Sequence, residues 1–347
     1  MRLGVTFFLA GKRGLGAVQF GLLTLFWLGA ALVLFGTLAP LTKSVQWWVR
    51  GWDFPRVHIG IVALVLAGLG VALWAYLERP HALWASCLML ACAGYQAARI
   101  YPYTSLAATE IELRTTLPKA QTVTAIAANV LMENTAHGRI AAVIERNAPD
   151  VLFLMETDQA WVDGLSEQLE RYDTVLSEPA DNHYGLVFAS NLEVVSAEIV
   201  RLADDAAPAV LAELIGPTGP FFFVGLHPRP PVPGNTTVER DQQIRRAALI
   251  ADRKRLPVVA MGDFNDVAWS YSAQRFKEYG AFRDPRIGRG VLASFDATSW
   301  IMRFPIDQLY LTEGFDLVAF ERLEPVGSDH FPMMAQFSVQ PGPPVGT

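Results

Sequence analysis

The sequence predicts an α/β domain carried behind three membrane-spanning helices. Three observations lead there. Apolar residues make up 52% of the chain, and long charge-free runs concentrate that excess in the first 100 residues. Beyond them strand-like and helix-like segments alternate, the pattern of an α/β domain. Along that second part, polar residues recur where the apolar strands end.

The charge-free runs are Leu15 to Ala39 with 25 residues, Ile59 to Leu77 with 19 and Ala82 to Ala98 with 17. About 20 apolar residues in a helix cross a hydrocarbon core of about 30 Å, so spans are expected near 15–39, 59–77 and 82–98 within a membrane region 1–100. The first run also reads as a signal peptide behind Lys12 and Arg13. Its length, and Pro40 directly after Thr37-Leu38-Ala39, favour an uncleaved helix. Three spans put the two ends of this region on opposite sides of the bilayer. With Lys12 and Arg13 inside, the expectation is a multi-pass protein of the plasma (inner) membrane with an extracytoplasmic C-terminal domain.

Residues 101–121, bounded by Tyr101 and Gln121 and containing Pro102 and Pro118, are expected as a linker, 122–340 as the globular domain and 341–347 as a disordered Pro/Gly-rich tail. In the domain, "TVTAIAANVL" (122–131) reads as a strand and "HGRIAAVIERNA" (137–148) as a helix whose apolar face is Ile140, Val143 and Ile144. "PDVLFLME" (149–156) is a buried strand. "YGLVFASNLEVVSAEIV" (184–200), "AVLAELI" (209–215) and "GPFFFVGLH" (219–227) follow as successive strands. A helix over "TVERDQQIRRAALIADRKR" (237–255) leads to the strand "LPVVAMGD" (256–263). "SWIMRFPIDQLYLT" (299–312) and "FPMMAQFSV" (331–339) give the last strands.

Charge and cysteine exclude some functions. From Thr104 onward 20 Lys and Arg face 32 Asp and Glu, a net −12, against +6 in the membrane region. Such a domain does not gather nucleic acid by its overall field, which depends on neutralising phosphates. Cys87 and Cys92 both lie in the third apolar run, so the domain has neither a disulfide nor a thiolate ligand for zinc.

The polar residues at strand ends are Asn129 in "AANVL", Glu156 closing "VLFLME", His227 closing "FFFVGLH", Asp263 and Asn265 in "MGDFND", Asp307 in "FPIDQLYL", and Ser328, Asp329 and His330 in "GSDHFPM". Each alone also reads as a solvated turn residue or a cap, and "GDFND" as an Asx turn. Together they read as a site built from loops on a rigid sheet scaffold.

Taken in chain order, these segments resemble the endonuclease/exonuclease/phosphatase superfamily, which includes deoxyribonuclease I, apurinic endonucleases, inositol polyphosphate 5-phosphatases and neutral sphingomyelinases. The resemblance covers about residues 121–340. It implies two packed β-sheets flanked by helices, a four-layer α/β sandwich, with the site at one edge. It implies further that Glu156 and the nearby Asn129, with Asp329 as a further carboxylate, are ligands of a divalent ion such as magnesium or manganese. Asp263 and Asn265 would position and activate the attacking water, and His330, oriented by Asp307, would contact the scissile phosphate. His227 would lie near the phosphate and leaving group. Met155 stands where many members carry glutamine, and no insertion marks the loops by which some nucleases grip DNA.

Phosphodiester hydrolysis brings hydroxide toward an anion, so it calls for a hard cation held by oxygen ligands and for a histidine that exchanges protons near neutrality. The sequence thus points to a membrane-anchored, metal-dependent phosphoesterase acting on nucleic acid or on a lipid or small phosphoester; no protein partner is expected. Two alternatives stand beside it. An inactive membrane-tethered binding module would keep the fold without its chemistry, although every expected catalytic position is filled. A glycosidase with paired carboxylates would leave His227, Asn265 and His330 without roles.

Overall fold

The computed structural model describes residues 3–340, with 3–15 and 17 described only as backbone; the expected tail 341–347 lies outside the described residues. The chain forms two compact units, one up to Ser44 with Val49–Tyr101 and the other Val45–Trp48 with the chain from Pro102 onward.

The first unit holds α1 (Leu3–Leu38), all of α3 and α4, and half of the short α2: α2 is Trp47–Arg50, α3 is Arg56–Leu77 and α4 is Pro80–Ile100. Phe26, Ala30 and Val33 of α1 pack with Ala63 and Leu66 of α3 and Met89 and Cys92 of α4. Two helical stretches, Val18–Thr42 and Arg56–Leu77, are long and apolar enough to cross a membrane by length and composition. The third expected span forms a helix of 21 residues but does not reach that apolarity. Its polar residues explain the difference. Gln96 accepts from Arg56 at 3.0 Å and donates to Thr37 at 3.1 Å, and Ser86 donates to the Ala67 carbonyl at 2.8 Å. These are the interhelical bonds that hold packed apolar helices in register.

The second unit runs β1 (Val123–Asn129), α5 (His137–Asn147), β2 (Val151–Met155), α6 (Gln159–Gly164), α7 (Ser166–Leu169), β3 (Thr174–Glu178), β4 (Leu186–Ser190), β5 (Glu193–Val200), β6 (Ala209–Gly216) and β7 (Gly219–Leu226). It continues through α8 (Val238–Asp252), β8 (Val258–Asp263), α9 (Tyr271–Gly280), β9 (Asp307–Leu311), β10 (Phe315–Arg322) and β11 (Met333–Val339). Six strands form one mixed sheet in the order β10-β11-β1-β2-β4-β3, and five form the other, β5-β6-β7-β8-β9.

Period-two alternation explains the layering. Val123, Ala125 and Ala127 of β1 face the second sheet, where Phe221, Phe223, Val259 and Met261 meet them; Ile126 and Ala128 face the opposite way, toward Ile140, Val143 and Ile144 of α5. Beyond the second sheet, Ile244 and Ala248 of α8 and Phe276 of α9 cover Phe222, Val224 and Ala260. The two packed mixed sheets with flanking helices are the architecture expected. Strands buried on both faces read as continuous apolar runs, which is why "VLFLM" and "FFFVGL" were recognisable. Rings such as Phe153 and Phe223, in contact between the sheets at 6.1 Å, are each worth about 3–5 kcal/mol by truncation.

The segment expected as a linker packs onto this unit. Tyr103 is buried and donates to the Ala268 carbonyl at 2.7 Å, Ile111 joins the inter-sheet core, and Arg114 N–H donates to Leu317 O at 2.7 Å. Strand direction then fixes where chemistry gathers. β1 and β2 are parallel, as are β7 and β8, while β9 and β11 run antiparallel to their neighbours. The ends of four strands and the beginnings of two therefore meet at one edge of the sandwich.

Candidate active site

Each expected site residue stands at that edge. Asn129 ends β1, Glu156 follows β2, His227 follows β7, Asp263 ends β8, Asp307 begins β9, and Asp329 and His330 precede β11. Asp263 and Asp307 are direct partners in the β8–β9 register.

Turn chemistry and site chemistry use the same side chains. Asp263 accepts the Asn265 N–H on Oδ1 at 2.8 Å, the Asx turn that the sequence allowed, and turns Oδ2 into the site. Asn129 likewise accepts the Leu131 N–H on Oδ1 at 3.1 Å, leaving its Nδ2 to donate to Glu156 Oε1 at 2.7 Å and Asp263 Oδ2 at 3.2 Å. Ser328 accepts the His330 N–H at 3.0 Å and donates to the Asn129 carbonyl at 2.8 Å, tying the His330 loop to β1. Asn265 donates to the Pro228 carbonyl at 2.9 Å and so holds the loop that follows His227. Such local bonds fix rotamers before any ligand arrives.

Asp263 Oδ2 is the hub. It lies 3.6 Å from His330 Nε2 and 3.8 Å from His227 Nε2, and the other nitrogen of His330 meets Asp307 Oδ2 at 2.8 Å. The pairing decides the charges. Burial opposes a proton on His330, but Asp307 and Asp263 outweigh it and raise the imidazole to about 10. Burial pushes Asp263 up to about 7, with the His330 charge pulling the other way. His227 is driven down to about 4, chiefly by burial, and is neutral at pH 7.

Asp263, Asp307 and His330 present ligand atoms within 4.8 Å of one another, a spacing a metal would accept. Their protonation argues for another use: an imidazolium between two carboxylates offers no lone pair, and its charge already offsets theirs. The oxygens of Glu156 and Asp329 fit a cation better. Both line an open depression of about 290 Å³ with His227, Asp263, Asn265 and His330, and among the described residues no lysine or arginine lines it. Burial raises Asp329, His330 pulls it down, and the neighbouring Glu156 charge adds to the rise. Nearby, His227 Nδ1 and Asp307 Oδ1 are buried without a hydrogen-bond partner among the described residues.

Three supports were not legible in the sequence. His183 reaches Glu156 Oε2 at 3.2 Å, Ser294 Oγ accepts the Asp307 N–H at 3.0 Å, and Phe295 packs on the His330 ring at 4.9 Å. His183 has positive φ in the turn "ADNHYG", whose polar composition was its one signal. Gly262 is a support of another kind. Its φ is +135°, and an added Cβ would stand 2.1 Å from the Leu226 carbonyl. The missing side chain is what lets β7 and β8 bring His227 and Asp263 together. Gly262→Ala is expected to destabilise the domain by about 2 kcal/mol or more and to lower any turnover with it. An unchanged unfolding midpoint would show that the close approach is not required.

The model of the Endonuclease/Exonuclease/phosphatase family matches residues 126–330, more than half of the chain and all of the edge just described. The chain belongs to this family. Endonuclease/exonuclease/phosphatase members are typically hydrolases acting on phosphoesters and generally use divalent metal ions. The fold is shared with solved structures at low identity. D. rerio TDP2 complexed with a single-strand DNA product is 17% identical, with a TM-score of 0.53 over 63% of this chain and 99% of that one. A functionally unknown conserved protein from Enterococcus faecalis is 16% identical, also at 0.53, over 63% of this chain and 100% of its own. An endonuclease/exonuclease/phosphatase from Bacteroides vulgatus is 19% identical at 0.51, over 63% and 99%. No curated protein matches the sequence.

Proposed function

We propose that this protein is a membrane-anchored, divalent-metal-dependent phosphoesterase whose site is Asp263, His330, Asp307, His227 and Asn265 beside the carboxylates Glu156 and Asp329. The observation that carries the reading is the Asp263 hub: one buried carboxylate oxygen within 3.8 Å of two histidines in opposite charge states.

The residues divide the work. Asp263, with its affinity for a proton raised to about 7, accepts the proton of an attacking water, since a general base works best near the operating pH. Asn265, anchored to the Pro228 carbonyl, confines that water's approach. His330, charged and fixed by Asp307, donates from Nε2 to a phosphate oxygen on which charge grows in the transition state. Neutral His227 offers Nε2–H on the same side, toward the leaving oxygen. Glu156 and Asp329 would hold a magnesium or manganese ion, with Asn129 orienting Glu156 through its NH2. Such an ion supplies Lewis-acid stabilisation of the phosphate oxygens.

Anchoring rests on Val18–Thr42 and Arg56–Leu77, with α4 as a proposed third span. The core arrangement serves nucleic acid and lipid or small phosphoesters alike, because loops rather than the fold choose substrate. D. rerio TDP2 holds a DNA product on the same fold, whereas the net −12 of this domain disfavours long-range attraction of DNA. The test is turnover of the full chain in detergent against plasmid, RNA, phospholipid vesicles and inositol phosphates with magnesium or manganese. No turnover of any phosphoester would leave the inactive binding module instead. Glu156→Gln is expected to raise the metal concentration for half-maximal activity at least roughly tenfold, with a smaller change in saturated turnover. An unaltered metal titration would remove Glu156 from the ion's site.

A further inference from the structure

Next to the site, the chain between Ser294 and Phe304 forms a tight hairpin whose tip is apolar. Ser294 N–H and Phe295 N–H both donate to Phe304 O at 3.0 Å, Asp296 N–H donates to Met302 O at 3.1 Å, and Met302 N–H donates to Ser299 Oγ at 2.9 Å. The base is pinned to the catalytic loop: Ala297 N–H donates to Asp329 O at 2.7 Å, and Phe331 N–H to Ser294 O at 2.8 Å. On this rigid support Trp300 is 89% exposed and Ile301 72%, with Met302 exposed beside them. A flexible loop could fold such side chains away. This hairpin holds them out.

Behind the tip stand two arginines. The Arg303 guanidinium lies 5.0 Å from the Trp300 ring and 5.2 Å from Phe331, and Arg322 lies 4.4 Å from Phe331, the residue after His330. Both donate to backbone carbonyls of the hairpin region, and among the described residues neither has a carboxylate partner. Asp296, the acid of the hairpin, is occupied by the N–H and hydroxyl of Thr298. Burial and the neighbouring Arg303 charge lower the Arg322 pKa, as expected of two cations held together without an anion. In a domain of net −12, this is a local basic collar around an apolar tip.

We infer that the 295–304 hairpin is a membrane-docking tip: Trp300, Ile301 and Met302 enter the interfacial layer of a bilayer while Arg303 and Arg322 meet anionic lipid phosphates. Tryptophan with aliphatic neighbours suits that layer, where an apolar face settles about 5–10 Å into the headgroup boundary and basic residues add attraction to anionic lipid. The tip adjoins Asp329 and His330 through the bonds above, so docking would bring the open depression to the level of the headgroups. This deepens the proposed phosphoesterase reading by naming a bilayer-borne phosphoester as the substrate it suits. The docking itself does not depend on turnover.

The experiment uses the full chain reconstituted in vesicles containing anionic lipid, with excess chelator to suppress any turnover. Trp300 fluorescence is taken as the difference between wild type and Trp300→Ala, a substitution at an exposed side chain. Lipids brominated near the headgroup end of the acyl chain are expected to quench roughly half of that difference signal, and less in purely zwitterionic vesicles. The companion variant Ile301→Ser should reduce the quenching without changing hydrolysis of a small water-soluble phosphodiester. No quenching by brominated lipid, with Trp300 open to acrylamide, overturns the inference. Shielding of Trp300 by a single-stranded oligonucleotide but not by lipid also overturns it, assigning the tip to base stacking. Quenching in chelator, together with no hydrolysis of any phosphoester when magnesium or manganese is supplied in a separate assay, would keep the docking tip and remove the phosphoesterase reading.

Discussion

His330→Ala is expected to lower phosphoester turnover by at least roughly a hundredfold with the fold retained, because it removes a preorganised donor to the transition state. The loss reaches past the missing imidazole. Asp307 Oδ2 gives up its 2.8 Å partner, and Asp263 loses the cation that pulls its proton affinity down. The Asp307 charge, facing Asp263 across the β8–β9 register, would then raise Asp263 without that opposing cation, and a protonated Asp263 cannot act as a base. Asp263→Asn should therefore cost a similar factor, and the double variant little more than either single one, as in groups that act as a unit. The check is kcat on a soluble phosphodiester, with far-UV circular dichroism and the unfolding midpoint as folding controls. Turnover by His330→Ala within about tenfold of wild type would remove His330 from the proposed role, and additive losses would separate it from Asp263.

The difference between what was legible in the sequence and what was not follows burial and sequence distance. β2, β7 and β8 are buried on both faces, so their composition alone marked them, and their polar end residues marked the site edge. β3 and β10 were not anticipated. Both are short, half-exposed edge strands, and "TVLSE" and "FDLVAFER" show neither strict polar–apolar alternation nor a long buried apolar run to mark them. α9 did carry its start signal, Ser270 accepting the Ala273 N–H at 3.1 Å, but ten residues gave too little periodicity to use it. At the site, Asp263 and His330 were recognisable as residue types in short motifs. That His227 and His330 flank one oxygen of Asp263 in opposite charge states was not, since it depends on burial and on strand order across more than a hundred residues. Ser294 and Phe295 lie in the irregular stretch between α9 and β9, where composition gives no register, and the exposed tip, whose apolar residues read as the start of a strand over 299–312, lies outside β9, which begins only at Asp307. Polarity hides one feature in the opposite direction: the third apolar run reads as a span, while Ser86 and Gln96 within it serve interhelical bonds and lower its hydropathy.

Removal of divalent metal is expected to abolish hydrolysis, a fall of roughly a thousandfold or more, restored by adding magnesium or manganese. The reason lies in the balance of charge at the depression. Glu156, Asp329 and Asp263 face it, and the proton on His330 is already shared by Asp307 and Asp263. A phosphodiester brought there adds another negative charge beside carboxylates in a partly buried setting, where repulsion is far less screened than in water. Among the described residues no lysine or arginine lines the depression, and the single charge of His330, already shared by two carboxylates, does not offset the rest. Chelation should thus raise KM as well as lower kcat, whereas His330→Ala should act chiefly on kcat, and the two effects are separable in one assay. The titration also divides the alternatives: paired-carboxylate glycoside hydrolysis would proceed in chelator, and an inactive module would show no response to metal at all. Full phosphoester turnover in excess chelator would end the metal-dependent reading and turn attention to His227 and His330 as a pair acting without an ion.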